Sequence, residues 1–416
     1  MRELRAIFRA NKKIWMVYMQ TEAIIKIKSK FMKTYRAGYP LILKEAIHNK
    51  QDLTKEGMLI RLVDERNQFI GKGYYGKQNK GFGWILTHNE NENLDQSFFN
   101  RKIQAAIDKR KPFFENEETN AFRVFNADGD GIGGLTIDYF NGYYLINWYS
   151  EGIYTFSDYV IHSLKQLVDY QAIYQKKRFD VGGHYIEEDG FVAGERGQFP
   201  IIVKENGVRL AVYLNEGAMV GVFLDQRDVR KTIFAKYAKG KTVLNTFSYT
   251  GVFSVFAALG GATKTTSVDL ANRSLDKTME QFSINGIDYK DHDIIVEDVF
   301  QYFKYAARKK KTFDLVILDP PSFARSKKFT FSAEKDYKNL LKEAIAITAN
   351  NGIIVASTNS ASFDMKRFKG FIDAAFKESG RKYRVEEEFS LPQDFQTIKQ
   401  YKEGDYLKVL FIKTIL

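Results

Sequence analysis

Between Lys241 and Leu270 the chain reads KTVLNTFSYTGVFSVFAALGGATKTTSVDL, and no other stretch restricts the fold as much. Val243 and Leu244 form a short apolar run suited to a buried strand. A polar loop follows, Asn245-Thr246-Phe247-Ser248-Tyr249-Thr250-Gly251, where Gly251 lets a backbone come close. Phe253 to Leu259 is an apolar helical run that Gly260-Gly261 stops. Thr265 to Val268 is a second strand, ending on Asp269 with Leu270 behind it. The order strand, tight loop, helix, strand is the unit of a Rossmann-like α/β fold. A carboxylate at the tip of the second strand suits two ribose hydroxyls. The phosphate-binding pattern G-x-G-x-x-G is absent, because the loop holds one glycine. That argues against a dinucleotide and favours a nucleoside cofactor without phosphates, of which S-adenosylmethionine is the common one. The plainer alternative is any strand–helix–strand unit of an α/β protein.

The rest of the C-terminal half extends this unit. Ile294-Ile295-Val296 is a third strand, followed by Asp298 and Val299, where the adenine of a nucleoside cofactor lies. Phe313 to Leu318 is a near-continuous apolar run, as parallel sheets require, and ends in Asp319-Pro320-Pro321-Ser322-Phe323. Strands at 353–357 and 405–412 and a helix from Asp336 to Thr348 complete the sheet. Four loops thus meet at the strand C-termini, the edge where open α/β sheets bind ligands. Two prolines fix the backbone, so Asp319 and nearby carbonyls can accept hydrogen bonds from a base edge. Phe323 offers a stacking face to a flipped base. The plainer reading is a rigid turn after a core strand. Lys241-Thr242 mimics the end of a Walker motif, but Ala235 stands where its first glycine belongs. No G-x-S-x-G occurs, which excludes an α/β-hydrolase.

The N-terminal part reads as short strands. Ala23 to Lys28 alternates, Lys33 to Pro40 is basic and turn-like, and 59–63 with 69–75 forms a hairpin turning at Asn67. This predicts a small β-barrel. The run R-A-G-Y-P followed by G-K-G-Y resembles a PUA domain, a small RNA-binding barrel, which implies Lys33 and Arg36 as candidate RNA contacts; the plainer alternative is a structural β-module. Phe98 to Lys111 is an amphipathic helix. Asp128-Gly129-Asp130-Gly131 is a glycine-rich turn rather than a calcium loop, since Ile132 replaces a ligand and no glutamate closes the loop. Strands at Tyr143–Trp148 and Ala172–Phe179 flank a helix at Ser157–Leu167, and this α+β module ends near Pro200. Val208 to Leu214 alternates, and Asp225 or Asp228 suits the N-terminus of the next helix.

A chain of 416 residues holds about three domains by the ~150-residue prior. Its net charge of +12 suits a polyanion, RNA or DNA first. The run Arg308-Lys309-Lys310-Lys311 reads as a solvated helix end. There is no cysteine, which excludes disulfides, zinc–thiolate sites and any thiolate nucleophile. The five histidines never sit at ligand spacing, so no metal is expected. No run of about 18 apolar residues predicts a membrane span. Residues 1–18 read as an extension without a signal peptide's apolar core, with Met16 or Met19 as the natural start, and a cytoplasmic location is expected.

From Met19 onward the chain resembles the RlmI-like family of S-adenosylmethionine-dependent large-subunit rRNA methyltransferases. The motifs are the PUA-like start, D-G-D-G-I-G-G-L-T-I-D, F-L-D-Q-R-D, N-T-F-S-Y-T-G, S-V-D, D-V-F and L-D-P-P-S-F. The resemblance implies an N-terminal extension (1–18), a PUA-like RNA-binding domain (19–93), a central α+β domain (94–200) and a class I methyltransferase domain (201–416). It also implies a homodimer acting on ribosomal RNA. Carried over, Phe247, Ser248, Tyr249 and Gly251 cradle the methionine part of the cofactor. Asp269 takes the ribose, Asp298 and Val299 the adenine, and Asp319 faces the methyl group, with Asn245 and Leu270 as further cofactor-binding candidates. Asp225, Gln226 and Arg227 close the pocket. Asp319, Pro320, Pro321 and Phe323 form the catalytic turn.

One departure outweighs these matches. Members that make 5-methylcytosine need a cysteine, whose thiolate adds to the ring before the carbon becomes nucleophilic. The corresponding stretch here is Ala356-Ser357-Thr358-Asn359-Ser360. A ring or exocyclic nitrogen needs only positioning against an aligned methyl sulfonium. The run D-P-P-S-F-A-R-S-K-K resembles the RlmK-type domain, which implies methylation of guanine nitrogen 7. Ser322, Lys327 and Lys328 are then candidate RNA contacts. The alternatives are a guanine exocyclic-amine product, an inactive PUA-type RNA-binding protein, and a small-molecule methyltransferase, which the charge disfavours.

Overall fold

The computed structural model describes residues 22–78, 81–179, 189–217, 219–325 and 330–415. The candidates Lys327 and Lys328 and the expected extension 1–18 lie outside them. The first sheet holds β1 (Ala23–Lys26), β2 (Leu41–Leu43), β3 (Leu59–Val63), β4 (Phe69–Tyr75) and β5 (Gly81–Thr87). Their order is β1-β3-β4-β5-β2, and an antiparallel bridge from Ile27 to Ile47 links the ends beyond the two edge strands. The hairpin β3–β4 turns with Asn67 in the left-handed region (φ 60°). The basic segment after β1 is not merely a turn. Met32–Arg36 is a short helix, α1, because Tyr35 anchors it. That ring is fully buried, and its hydroxyl accepts from Leu43 N (2.8 Å) while donating to Leu41 O (3.3 Å). Lys33 and Arg36 are left exposed outside.

The middle of the chain forms a second sheet with order β10-β9-β8-β7-β6. Its strands are β6 (Ala121–Asn126), β7 (Leu135–Phe140), β8 (Tyr143–Trp148), β9 (Ala172–Lys177) and β10 (Phe191–Gly194). Helix α2 (Gln96–Lys109) starts at an Asp95 cap and buries Phe98, Phe99 and Ile103. Helix α3 (Ser157–Leu167) connects β8 to β9, which pair in parallel. The D-G-D-G turn has a second use that the sequence did not reveal. Asp130 accepts from Nη1 and Nη2 of the fully buried Arg110, both at 2.8 Å.

After the hairpin β11 (Ile201–Glu205) and β12 (Val208–Val212) comes helix α4 (Arg227–Thr232). Asp228 lies in its first turn, while Asp225 turns away and accepts from the Tyr406 hydroxyl (2.9 Å). The third sheet has order β15-β14-β13-β16-β19-β21-β20. It comprises β13 (Thr242–Thr246), β14 (Lys264–Asp269), β15 (Asp293–Val296), β16 (Phe313–Leu318), β19 (Thr348–Thr358), β20 (Lys382–Phe389) and β21 (Lys408–Ile415). Strands β17 (Phe323–Arg325) and β18 (Thr330–Ser332) form a separate hairpin. The first five sheet strands run parallel and β21 runs against both neighbours. Helices α5 (Val252–Leu259), α6 (Arg273–Ser283), α7 (Val299–Arg308), α8 (Ala333–Ile347) and α9 (Met365–Glu378) complete this part. Two apolar clusters flank its strands, one with Leu244, Val316 and Ile354, the other with Val243, Leu315 and Val355. That alternation along buried parallel strands explains the continuous apolar runs. Among the described residues no helix is long and apolar enough to cross a membrane.

The segment before β21 locks the second and third sheets together. Asp394 is fully buried and its carboxylate accepts from Arg227 and from Arg123 N (2.8 Å). Its carbonyl accepts from Arg110 Nη2 (2.6 Å). Removing one partner leaves the other charge buried alone. Asp394→Ala is therefore expected to cost about 3–5 kcal/mol. A urea denaturation midpoint indistinguishable from that of the parent protein would contradict this.

Candidate active site

Beyond Thr246 the chain turns through 247–251 before α5. Phe247 (φ 54°), Tyr249 (φ 53°) and Gly251 (φ 74°) all occupy the left-handed region. That conformation costs a residue with a Cβ about 1–2 kcal/mol, so the surroundings must impose it. Ser248 N donates to Val268 O (3.1 Å), and Gly251 N to Ser248 O (2.8 Å). Tyr249 N donates to Asp269 Oδ2 (2.9 Å), and Ala271 N to Asp269 Oδ1 (2.9 Å). The Tyr249 hydroxyl accepts from Gly221 N (2.8 Å), and Thr250 Oγ1 donates to Gly221 O (2.6 Å).

This loop borders an open cavity of about 770 Å³, within the usual range for small-molecule sites. Four strand ends supply its walls. They are Phe247 and Tyr249 after β13, Asp269 and Leu270 after β14, Asp298 and Val299 after β15, and Asp319 through Phe323 after β16. Asp225 and Gln226 join from the segment before α4. Four other candidates stand behind the wall. Arg227 is drawn to Asp394 and lies over the Phe113 ring, so it does not close the pocket. Asn245 is buried, with Nδ2 donating to Ser254 Oγ (3.0 Å). Ser248 acts through its backbone. Gly251 makes its close approach to α6: a Cβ there would lie 2.4 Å from Thr278 Cγ2. Lys33 and Arg36 lie on α1 outside the cavity, and Arg36 pairs with Asp64 at 3.2 Å.

What holds Asp319 comes from residues far from it along the chain. Gln226 Nε2 donates to Asp319 Oδ1 (3.1 Å) and to Ser357 Oγ (2.8 Å), and the Ser357 hydroxyl bonds Asp319 as well. Tyr337 fixes the strand end by donating to Ser357 O (2.8 Å). Burial, with the neighbouring Asp225 carboxylate, pushes Asp319 up to about 6 despite those bonds. Burial also raises Asp225. Two carboxylates that resist ionisation together suit a site visited by positive charge.

The donor set fits a nucleoside with a charged tail. Each Asp269 oxygen receives one backbone N–H, and a carboxylate oxygen accepts about two, so capacity remains for hydroxyl donors. Asp298 spends Oδ1 on the cap of α7, accepting from Gln301 N (3.0 Å), and turns toward the same cavity.

A profile of the S-adenosylmethionine-dependent methyltransferases matches residues 124–397, and one of PUA-like domains matches residues 25–88. The chain belongs to the S-adenosylmethionine-dependent methyltransferases. Among its relatives is a Bacillus subtilis protein, YwbD, provisionally named a ribosomal RNA large subunit methyltransferase. The two are 61% identical over 94% of this chain and 99% of YwbD. Ribosomal RNA large subunit methyltransferase I of Alteromonas mediterranea is 31% identical over 91% of this chain and 95% of that one. The crystal structure of SMU.776, provisionally a methyltransferase, complexed with SAH, is 38% identical and superposes with a TM-score of 0.86. That match covers 94% of this chain and 99% of the other. The methyltransferase thus takes S-adenosylmethionine as cofactor. Its fold is the expected one, a PUA-like N-terminal part and a Rossmann-like methyltransferase part.

The strained loop gives a direct test. Gly251→Ala puts a methyl group against Thr278 in a left-handed backbone. Expected is a loss of about 1–2 kcal/mol or more in stability, partly restored when Thr278→Ser removes the opposing methyl. Thermal denaturation of the two single variants and the double variant reads this, and strict additivity would refute the contact.

Proposed function

We propose that this methyltransferase modifies a base of large-subunit ribosomal RNA at a nitrogen, with 7-methylguanosine as the favoured product. The names of the relatives, the PUA-like domain and the charge of +12 support an RNA substrate. The observation that carries the choice of nitrogen is the end of β19. Where a thiolate would have to stand, Ser357 and Thr358 are buried, and the Ser357 hydroxyl is committed to Gln226 and Asp319. No histidine or lysine among their hydrogen-bond partners activates either hydroxyl. Nothing here adds to a pyrimidine ring.

When bound, S-adenosylmethionine supplies an electrophilic methyl group on a cationic sulfur. In this reading Asp269 holds the ribose, Asp298 and Val299 the adenine, and Phe247 and Tyr249 flank the methionine part. Pro320 and Pro321 fix the acceptor edge, and Phe323 and Ser322 hold the base at the mouth. Nitrogen 7 of guanine carries a lone pair and no proton, so no base is required. Its methylation leaves a positive charge on the ring, which the ionised Asp319 stabilises. An exocyclic-amine product is the second reading, favoured by the acceptor character of the Asp-Pro-Pro turn. The same reading places the protein in the cytoplasm and, from the family resemblance, as a homodimer.

The test is methyl transfer from labelled S-adenosylmethionine to large-subunit rRNA purified from cells lacking the gene. Asp319 is charged above about pH 6 and neutral below it. Transfer is therefore expected to fall as the pH drops through about 6, and Asp319→Asn to be slow at every pH without that fall. A profile flat through pH 6, or Asp319→Asn retaining full activity, would contradict the role of the carboxylate.

A further inference from the structure

Strand β9, paired in parallel with β8, meets the cavity wall near its C-terminal end through Lys176. Arg178 follows β9, and its N–H donates to Trp148 O (2.7 Å) at the end of β8, so Arg178 and Tyr149 are neighbours. The Arg178 guanidinium is positioned by Nε donating to Asn147 Oδ1 (3.1 Å) and acts electrostatically on Tyr249 in the cavity wall. Lys176 Nζ reaches the same wall, donating to Glu216 O (2.9 Å) and Gly217 O (2.5 Å). Two aromatic rings stand exposed in the cavity lining, and a third, Tyr149, stands exposed beside Arg178 at the end of β8. Phe323 is 63% exposed, Phe223 44% and Tyr149 43%, whereas rings of this size are normally covered. Phe323 and Phe223 line the cavity, and the Phe223 ring lies 5.4 Å from that of Tyr249. Exposed rings interleaved with cations are the surface that single-stranded nucleic acid fits, bases on the rings and phosphates on the cations.

We infer that Tyr149 and Arg178 of the central sheet, with Phe223, form the track that holds the single-stranded RNA flanking the target base. This rests on the reading of the cavity as an RNA methylation site. The central module is then part of the substrate site rather than a spacer between the barrel and the catalytic sheet. Its rigid link to that sheet through Arg110, Arg227 and Asp394 keeps the track in register with the cavity.

Binding of a fluorescein-labelled single-stranded RNA dodecamer to the full chain tests this, with the thermal shift caused by S-adenosylhomocysteine as the check of fold and cofactor site. Tyr149→Ala is expected to weaken RNA binding about 10-fold, the loss of one stacked base. Arg178→Ala is expected to weaken it similarly and to lower the slope of log affinity against log salt by about one, while Arg178→Lys keeps that slope. All three variants are expected to keep the thermal shift. Unchanged RNA affinity in Tyr149→Ala and Arg178→Ala, or no binding of the dodecamer by the parent protein at low salt, overturns the track. Loss of dodecamer binding in the variants, beside a parent protein that transfers no methyl group to rRNA, upholds the track and removes the methylation reading instead.

Discussion

Two backbone amides converge on one carboxylate, and the site hangs on that arrangement. Asp269 takes the N–H of Tyr249 with one oxygen and that of Ala271 with the other. It thereby pins the loop after β13 to the loop after β14 and pre-shapes both. The left-handed conformations of Phe247 and Tyr249 are affordable only because these bonds, and those to Gly221, leave the loop no alternative. A loop already fixed loses little entropy when a ligand arrives.

The second constraint is electrostatic. Asp319 sits beside Asp225 in a part-buried corner, and Gln226 and Ser357 aim it. The arrangement favours a positive visitor and a fixed acceptor edge, which is what methyl transfer from a sulfonium to a base demands. The buried pairs Arg230–Glu205 and Arg227–Asp394 stabilise little in themselves. They fix how the hairpin β11–β12 and the second sheet meet the third, and so where the walls of the cavity stand.

The parallel strands were legible because burial on both faces forces unbroken apolar runs. Phe313–Leu318 was read with its observed bounds for that reason. The four strand ends were legible because topology brings them to one edge. Edge strand β20, reading KYRVEEEF, was missed: it is largely charged and half-exposed, and shows no apolar run. Helix α1 was missed because one buried tyrosine, not periodicity, holds it. Arg227 was misplaced, since nothing local announces a partner 167 positions away. Ser357 shows in the sequence only as the absence of a cysteine, because its bond to Gln226 spans 131 positions. Sequence pattern reports local periodicity and loop chemistry, whereas long-range polar partners depend on the packed fold.

The central claim is that a site without a thiol modifies a nitrogen. Its most direct test is nucleoside mass spectrometry of large-subunit rRNA from cells with and without the gene. Deleting the gene is expected to lower 7-methylguanosine and leave 5-methylcytosine unchanged. A fall in 5-methylcytosine would contradict it, because a group other than a thiolate would then have to activate the pyrimidine ring.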